Sequence, residues 1–223
     1  MRKLFRYGNG WQTLICFIVG LVLVMIRQDY VWVLGLLDLV CFLLELRTLV
    51  KTSQRFRLID DLIQHCDLRT VPKILDINTG CGYFMTQIAK AAGSIAFVDG
   101  IEDQRANRIR AARKNARHAN VYNRVNVIHG DVCHLPFPDT YFNLVTLTVY
   151  NARLKSGVDV AKNVIAEALR VLKRNGRLLI VSDRKAVLPL RKTLASRNGV
   201  NFHSAAFNRR KAGWQALIAK KMI

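Results

Sequence analysis

Two dense apolar runs dominate the start of the chain, WQTLICFIVGLVLVMI over 11–26 and YVWVLGLLDLVCFLLEL over 30–46. At about 16 and 17 residues, each would extend roughly 25 Å as a helix, slightly short of a typical hydrocarbon core. Arg27, Gln28 and Asp29 form a tight polar turn between them, and no small-x-small cleavage pattern follows Ile26. The pattern therefore predicts a membrane hairpin over 1–46, built from two transmembrane helices. Arg2, Lys3 and Arg6 precede the first run while Arg47, Lys51, Arg55 and Arg57 follow the second. That placement puts both ends of the hairpin, and everything after it, on the cytoplasmic side of an integral membrane protein. Asp38 falls near the middle of the second run, where a charge must be protonated or hydrogen-bonded inside the hairpin or a helix dimer.

Helical spacing of Phe56, Ile59, Leu62, Ile63 and Cys66 then marks an amphipathic connector helix over 47–71, ended by Thr70-Val71-Pro72. From 72 to 223 short apolar strands alternate with helical stretches, the signature of a parallel α/β sheet. Strands are expected at 73–78, 94–99, 124–129, 142–148 and 177–182. Helices are expected from Tyr83, over 102–119 and over 158–172, the last closed by Asn175-Gly176. After a short helix at 189–197, strands at 200–208 and 214–221 form an antiparallel hairpin joined by 209–213. The fold class is thus α/β, a Rossmann-like seven-stranded sheet with a C-terminal antiparallel hairpin. There is no internal repeat and no low-complexity segment.

The first strand feeds a glycine turn in KILDINTGCGYFM, 73–85. Met85 stands where a dinucleotide loop needs its third glycine, and no Walker lysine follows, so a phosphate cradle is disfavoured. Asp76 would repel a pyrophosphate but attract the amine of an aminoacyl group such as that of S-adenosylmethionine.

Charge changes the picture of partners. The formal net charge is +20 in 223 residues, although 51% of them are apolar. Such basicity points to nucleic acid or to an anionic membrane. Arg105, Arg108, Arg110, Arg113, Lys114 and Arg117 crowd the helix after Asp99, and further basic residues run from Arg184 to Lys221. Few aromatic residues interleave with them, which weakens a single-strand stacking platform. The five cysteines have no metal-ligand spacing and no disulfide pattern.

Four motifs in order resemble those of the class I S-adenosylmethionine-dependent methyltransferases, most closely the small-molecule and quinone-type branch, over about 72–223. Asp76, Gly80 and Gly82 fall on the D-x-G-x-G-x-G motif, with Asn78 at its first glycine. Asp99 in AFVDG matches the acid expected at the end of the second strand. GDVCHLPFPDTYFNLV carries Asp131 at the adenine-facing position and Asn143 where aspartate is usual, and RVLKRNGRLLIVS matches the fourth motif. The resemblance implies S-adenosylmethionine as cofactor, bound by Asp76, Asn78, Gly80, Gly82, Asp99, Gly100, Asp131 and Val132. Glycines let the backbone approach the methionine portion, Asp99 would accept from the ribose hydroxyls and Asp131 from the adenine amine. Asn78 tolerates a left-handed conformation, but its side chain must be accommodated.

The implied reaction is in-line attack on the sulfonium methyl, which depends chiefly on positioning. Tyr150 and Asp183, after the fourth and fifth strands, are the catalytic candidates, beside Asn151. His129 and His134 read as structural or solvent-facing. VYNA lacks the N/D-P-P-Y motif of many amino-group methyltransferases, and no room exists for a substrate lid between the fifth and sixth strands. The expected acceptor is membrane-resident, an isoprenoid quinone precursor or a lipid headgroup, with anionic lipids as the surrounding partner. Two other readings stand beside it: an inactive, cofactor-binding membrane scaffold, motivated by Asn78 and Asn143, and a tethered RNA methyltransferase.

Overall fold

The computed structural model describes residues 15, 17–20, 31–103, 106–149, 158–204 and 214–222. The chain forms two compact units, Met1–Ser53 and Gln54–Ile223.

In the first unit the described residues are helical, and α1, Val31–His65, begins there and runs unbroken past Ser53 into the second unit. The expected division between a helix ending at 46 and a separate connector is not found. Nothing between Leu46 and Arg47 could end a helix, since neither glycine nor proline interrupts the turn. The expected pair of transmembrane helices is also not found: among the described residues, no helix is long and apolar enough to cross a membrane. In α1 the charged side chains of Asp38, Glu45 and Arg47 interrupt the apolar stretch, while most of the first run, and the turn 27–29, lie outside the described residues. Asp38 has a definite neighbour within this unit. A Cβ placed on Gly20 would collide with its carboxylate, so the absence of a side chain at Gly20 makes room for it.

The second unit is a seven-stranded sheet in the order β3-β2-β1-β4-β5-β7-β6. Its strands are β1 (Lys73–Ile77), β2 (Phe97–Glu102), β3 (Val125–His129), β4 (Phe142–Val149), β5 (Leu172–Asp183), β6 (Val200–Ser204) and β7 (Trp214–Lys221). The first five pair in parallel, while β7 pairs antiparallel with both β5 and β6. The predicted fold of the domain is therefore present, with the C-terminal hairpin folded back so that β7 lies between β5 and β6. Beside the end of α1, the described residues of this unit include the helices α2 (Tyr83–Ala91), α3 (Ala106–His118), α4 (Val158–Val171) and α5 (Arg184–Ala195).

Burial follows the apolar runs. Leu75, Ile77, Leu144, Val145, Leu147, Leu178 and Ile180 are fully buried where the central strands meet the helices. The near-continuous apolar character of β1 and β4 is what a parallel sheet covered on both faces requires. The loop between β3 and β4 is tied to the end of α4 by Arg170, whose guanidinium donates to Glu167, Asp139, the Phe137 carbonyl and the Leu135 carbonyl. At the end of β7, Lys221 donates to the carbonyls of Leu169 and Leu172 and so caps the end of α4.

Candidate cofactor site

The site forms at the carboxyl ends of β1, β2, β3 and β4, where open α/β sheets bind ligands. The glycine loop begins immediately after β1. Asn78, Gly80 and Gly82 all adopt positive φ, at 58°, 58° and 79°. Asn78 thus takes the backbone path of the glycine it replaces, and its side chain has a destination. Its Nδ2 donates to the Thr148 carbonyl at the end of β4, 3.2 Å away.

A Cβ added to Gly80 would meet nothing nearer than the Asn78 carbonyl at 4.0 Å, so the surface above this residue is open. Gly82 is constrained from the other side, because a Cβ there would lie 3.0 Å from that of Ala112 on α3. Gly100 serves the loop sterically. A Cβ at that position would fall 2.7 Å from Thr79 Oγ1 and 2.9 Å from Met85 Sδ.

Asp76 is fully buried. It accepts from Thr79 Oγ1 at 2.5 Å and from Thr146 Oγ1 at 2.7 Å, and so ties the loop to β4 from below. Burial pushes its carboxyl up to about 6, against the two threonine hydrogen bonds that favour the charged form.

Asp99 does not end the second strand. β2 continues through Gly100 and Ile101 to Glu102, which leaves Asp99 roughly 10 Å short of the carboxyl end at the usual rise per residue. Asp99 accepts instead from Asn126 Nδ2 on β3, at 3.2 Å, and burial raises its carboxyl. The acid at the strand end is Glu102, which the sequence reading missed. It is fully buried, and it accepts from the Gly80 N–H at 2.7 Å and from Arg108 Nη1 at 3.3 Å. The stretch VDGIED offers acids on both sides of Gly100-Ile101, and pairing of Glu102 with His129 on β3 is what identifies the true end.

Asp131 lies in the loop after β3, exposed, and accepts from the Cys133 N–H and from His134 Nδ1, both at 2.8 Å. The hydrogen bond with His134 holds its carboxyl below the usual range. Val132 beside it is buried. Of the catalytic candidates, Tyr150 lies outside the described residues, as does Asn151. Asp183 closes β5, and its Oδ1 accepts from the Ala186 N–H at 2.9 Å, the geometry of a helix N-cap for α5. His129 ends β3 with an exposed side chain.

The second half of α1 contributes to the same end of the sheet. Phe56 stacks on Tyr83 with ring centroids 4.0 Å apart, and the Tyr83 hydroxyl donates to Asp60 at 2.7 Å. Arg55 lies 4.9 Å from the Phe56 ring centroid and 5.7 Å from that of Trp214. Among the described residues no cluster of side chains could hold a metal ion.

These residues fit S-adenosylmethionine. The open backbone at Gly80 leaves room for a ligand to approach, and two acids, Glu102 and Asp131, follow the adjacent strands β2 and β3 as acceptors suited to hydroxyl and amino donors. Residues 74–176 match a family model described as a methyltransferase domain. Among known proteins, the chain is similar to the ubiquinone/menaquinone biosynthesis C-methyltransferase UbiE of Stutzerimonas stutzeri, 34% identical over 113 residues, covering 51% of this chain and 42% of that protein. It is also 30% identical over 116 residues to the demethylmenaquinone methyltransferase of Listeria monocytogenes, covering 52% and 46%. The chain spans about half the length of these relatives. In fold it resembles the SAM-dependent O-methyltransferase of Thermotoga maritima, with a TM-score of 0.59 at 18% identity over 75% of this chain and 65% of that one.

Proposed function

We propose that this chain, which carries a class I S-adenosylmethionine-dependent methyltransferase domain, methylates a lipid-like acceptor of the quinone-precursor type at a membrane surface. The observation that carries the catalytic part is the glycine loop, whose left-handed Asn78, Gly80 and Gly82 leave an open backbone face beside Glu102.

The bound cofactor supplies a methyl group on a positively charged sulfur. An acceptor carbon or oxygen would take that methyl as the carbon–sulfur bond breaks, and would give up its own proton to water. The protein's part is to align acceptor, methyl and sulfur, so a strong general base is not required. Asp76, Thr79 and Thr146 fix the loop from beneath, and Asn78 fixes it against β4. Glu102 and Asp131 present carboxylate acceptors for hydroxyl and amino donors. Asp183, held in place as the cap of α5, and Tyr150 are the candidates for contact with the acceptor.

Two observations support the acceptor class. The relatives named above are quinone methyltransferases, and α1 exposes Val33, Leu36, Leu37, Val40, Phe42 and Leu44 along its first half. Lipid would cover such a surface, with the domain on the cytoplasmic face. Anionic headgroups would attract the exposed Arg110, Arg113, Lys114 and Arg117 of α3, at about 1 kcal/mol for each basic residue near the surface.

The test is methyl transfer from radiolabelled S-adenosylmethionine to demethylmenaquinone presented in anionic liposomes. Label in the quinone fraction, together with co-flotation of the protein, is the expected result. Label in RNA, with binding that falls steeply with salt, would instead favour the tethered RNA methyltransferase.

A further inference from the structure

Helix α5 leaves the sheet at the end where the acceptor is expected. Asp183 closes β5, caps this helix through the Ala186 N–H, and pairs across the sheet with Trp214 at the start of β7. One face of α5 belongs to the core, with Ala186, Val187, Leu190, Thr193 and Leu194 buried. The opposite face carries Leu188, 61% exposed, and Arg191 and Lys192 are exposed beside it. At spacings of three and four residues the two cations lie next to the leucine on the helix surface. Leu188 itself is little more than one helical turn from Asp183.

The charge of this face is not offset by the sequence around it. No aspartate or glutamate follows Asp183 as far as Ile223, and Arg197, just beyond α5, is exposed as well. A second copy of the chain would present the same positive face and be repelled. A single-stranded nucleic acid would find no aromatic ring in α5 on which to stack a base. An anionic bilayer matches the whole face, because its phosphates pair with the cations while its interfacial layer accepts the aliphatic side chain beside them.

We propose that α5 is a lipid-docking helix: Leu188 enters the headgroup layer of an anionic bilayer, Arg191 and Lys192 rest on its phosphates, and the contact turns the Asp183 end of the site towards the membrane. The proposal rests on the lipid-acceptor reading above and names the surface through which that acceptor is met.

The test follows acetylation of Lys192 by mass spectrometry in the full chain, reconstituted into phosphatidylcholine vesicles with and without phosphatidylglycerol. Lys192 should react roughly five-fold more slowly in the anionic vesicles, as for a basic residue held at such a surface. Leu188→Asp should lose most of this protection while keeping the fold, which circular dichroism and melting establish. Should that variant misfold, Arg191→Glu decides the matter, since it too should lose most of the protection. Equal reactivity of Lys192 in the two vesicle types overturns the proposal, as does full protection in either folded variant. Protection by oligouridylate but not by phosphatidylglycerol would make nucleic acid the partner and overturn it as well. Methyl transfer to demethylmenaquinone in the same vesicles separates the two readings. Transfer with Lys192 unprotected overturns the α5 contact alone, whereas protection without transfer supports the contact and counts against the quinone-type acceptor.

Discussion

The side-chain amide of Asn78 donates to the main-chain carbonyl of Thr148, 3.2 Å away, and so fastens the glycine loop of β1 to the end of β4. Asparagine is therefore no defect in the motif. It supplies the left-handed backbone that glycine would give, φ 58°, and adds a tie that glycine lacks. Asn78→Gly should keep cofactor affinity within about three-fold and lose about 1 kcal/mol of stability, the net value of one hydrogen bond. Asn78→Val, with a β-branched side chain at positive φ, should lose more, about 2 kcal/mol. Calorimetry and denaturant melts of the two variants check both values. Loss of binding in the glycine variant would remove the argument against an inactive scaffold.

Glu102 and Asp99 separate the structural reading from the motif. Glu102→Gln keeps shape but removes the charge that faces Gly80 N–H and Arg108. Cofactor affinity should fall by at least about 10-fold, as for loss of a charge-assisted hydrogen bond. Asp99→Asn, inside β2 and bonded to Asn126, should change affinity less than about three-fold. A reversed order of effects would restore Asp99 as the ribose-binding acid.

Several of these relationships were legible in the residues, and others were not, for physical reasons. The buried strands β1, β4 and β5 announce themselves as apolar runs, because a sheet covered on both faces leaves no polar alternation. The end of β2 is ambiguous, because Gly100 and Ile101 separate acids that could each finish the strand. Only the pairing of Glu102 with His129 resolves it. Likewise, Arg47 reads as the boundary of an apolar helix, yet a charged residue does not stop a helix, and α1 continues to His65. The role of Asp76 was hidden for another reason: its partners Thr79 and Thr146 come from different parts of the chain, and only their meeting makes the carboxylate interior.

Asp76 should leave a mark on stability against pH. Its carboxyl titrates at about 6 when folded, against about 3.9 unfolded. Between those values the native state holds more protons than the unfolded state, so stability falls as pH rises. The contribution present below pH 4 is lost above pH 6, a change of about 3 kcal/mol. Asp76→Asn lacks this group. The difference in unfolding free energy between wild type and variant, measured from pH 4 to 7.5, should move in the variant's favour by that amount. A difference that stays flat would mean that Asp76 is not buried as described.

Arg170 organises the loop that carries Asp131 and Val132 towards β4. It donates to two carboxylates and two main-chain carbonyls. Arg170→Ala should cost about 3 kcal/mol, and Arg170→Lys only somewhat less, since lysine cannot reproduce the planar fork. Denaturant unfolding monitored by circular dichroism gives the values. A loss below about 0.5 kcal/mol for the alanine variant would place this network among surface ion pairs of little consequence.

The central claim is that the glycine loop holds S-adenosylmethionine. Calorimetric titration of the purified chain in detergent, with S-adenosylmethionine, S-adenosylhomocysteine and NADH in turn, tests it most directly. Micromolar binding of the first two and none of the third is the expected result. Binding of NADH, or of none of the three, would contradict it.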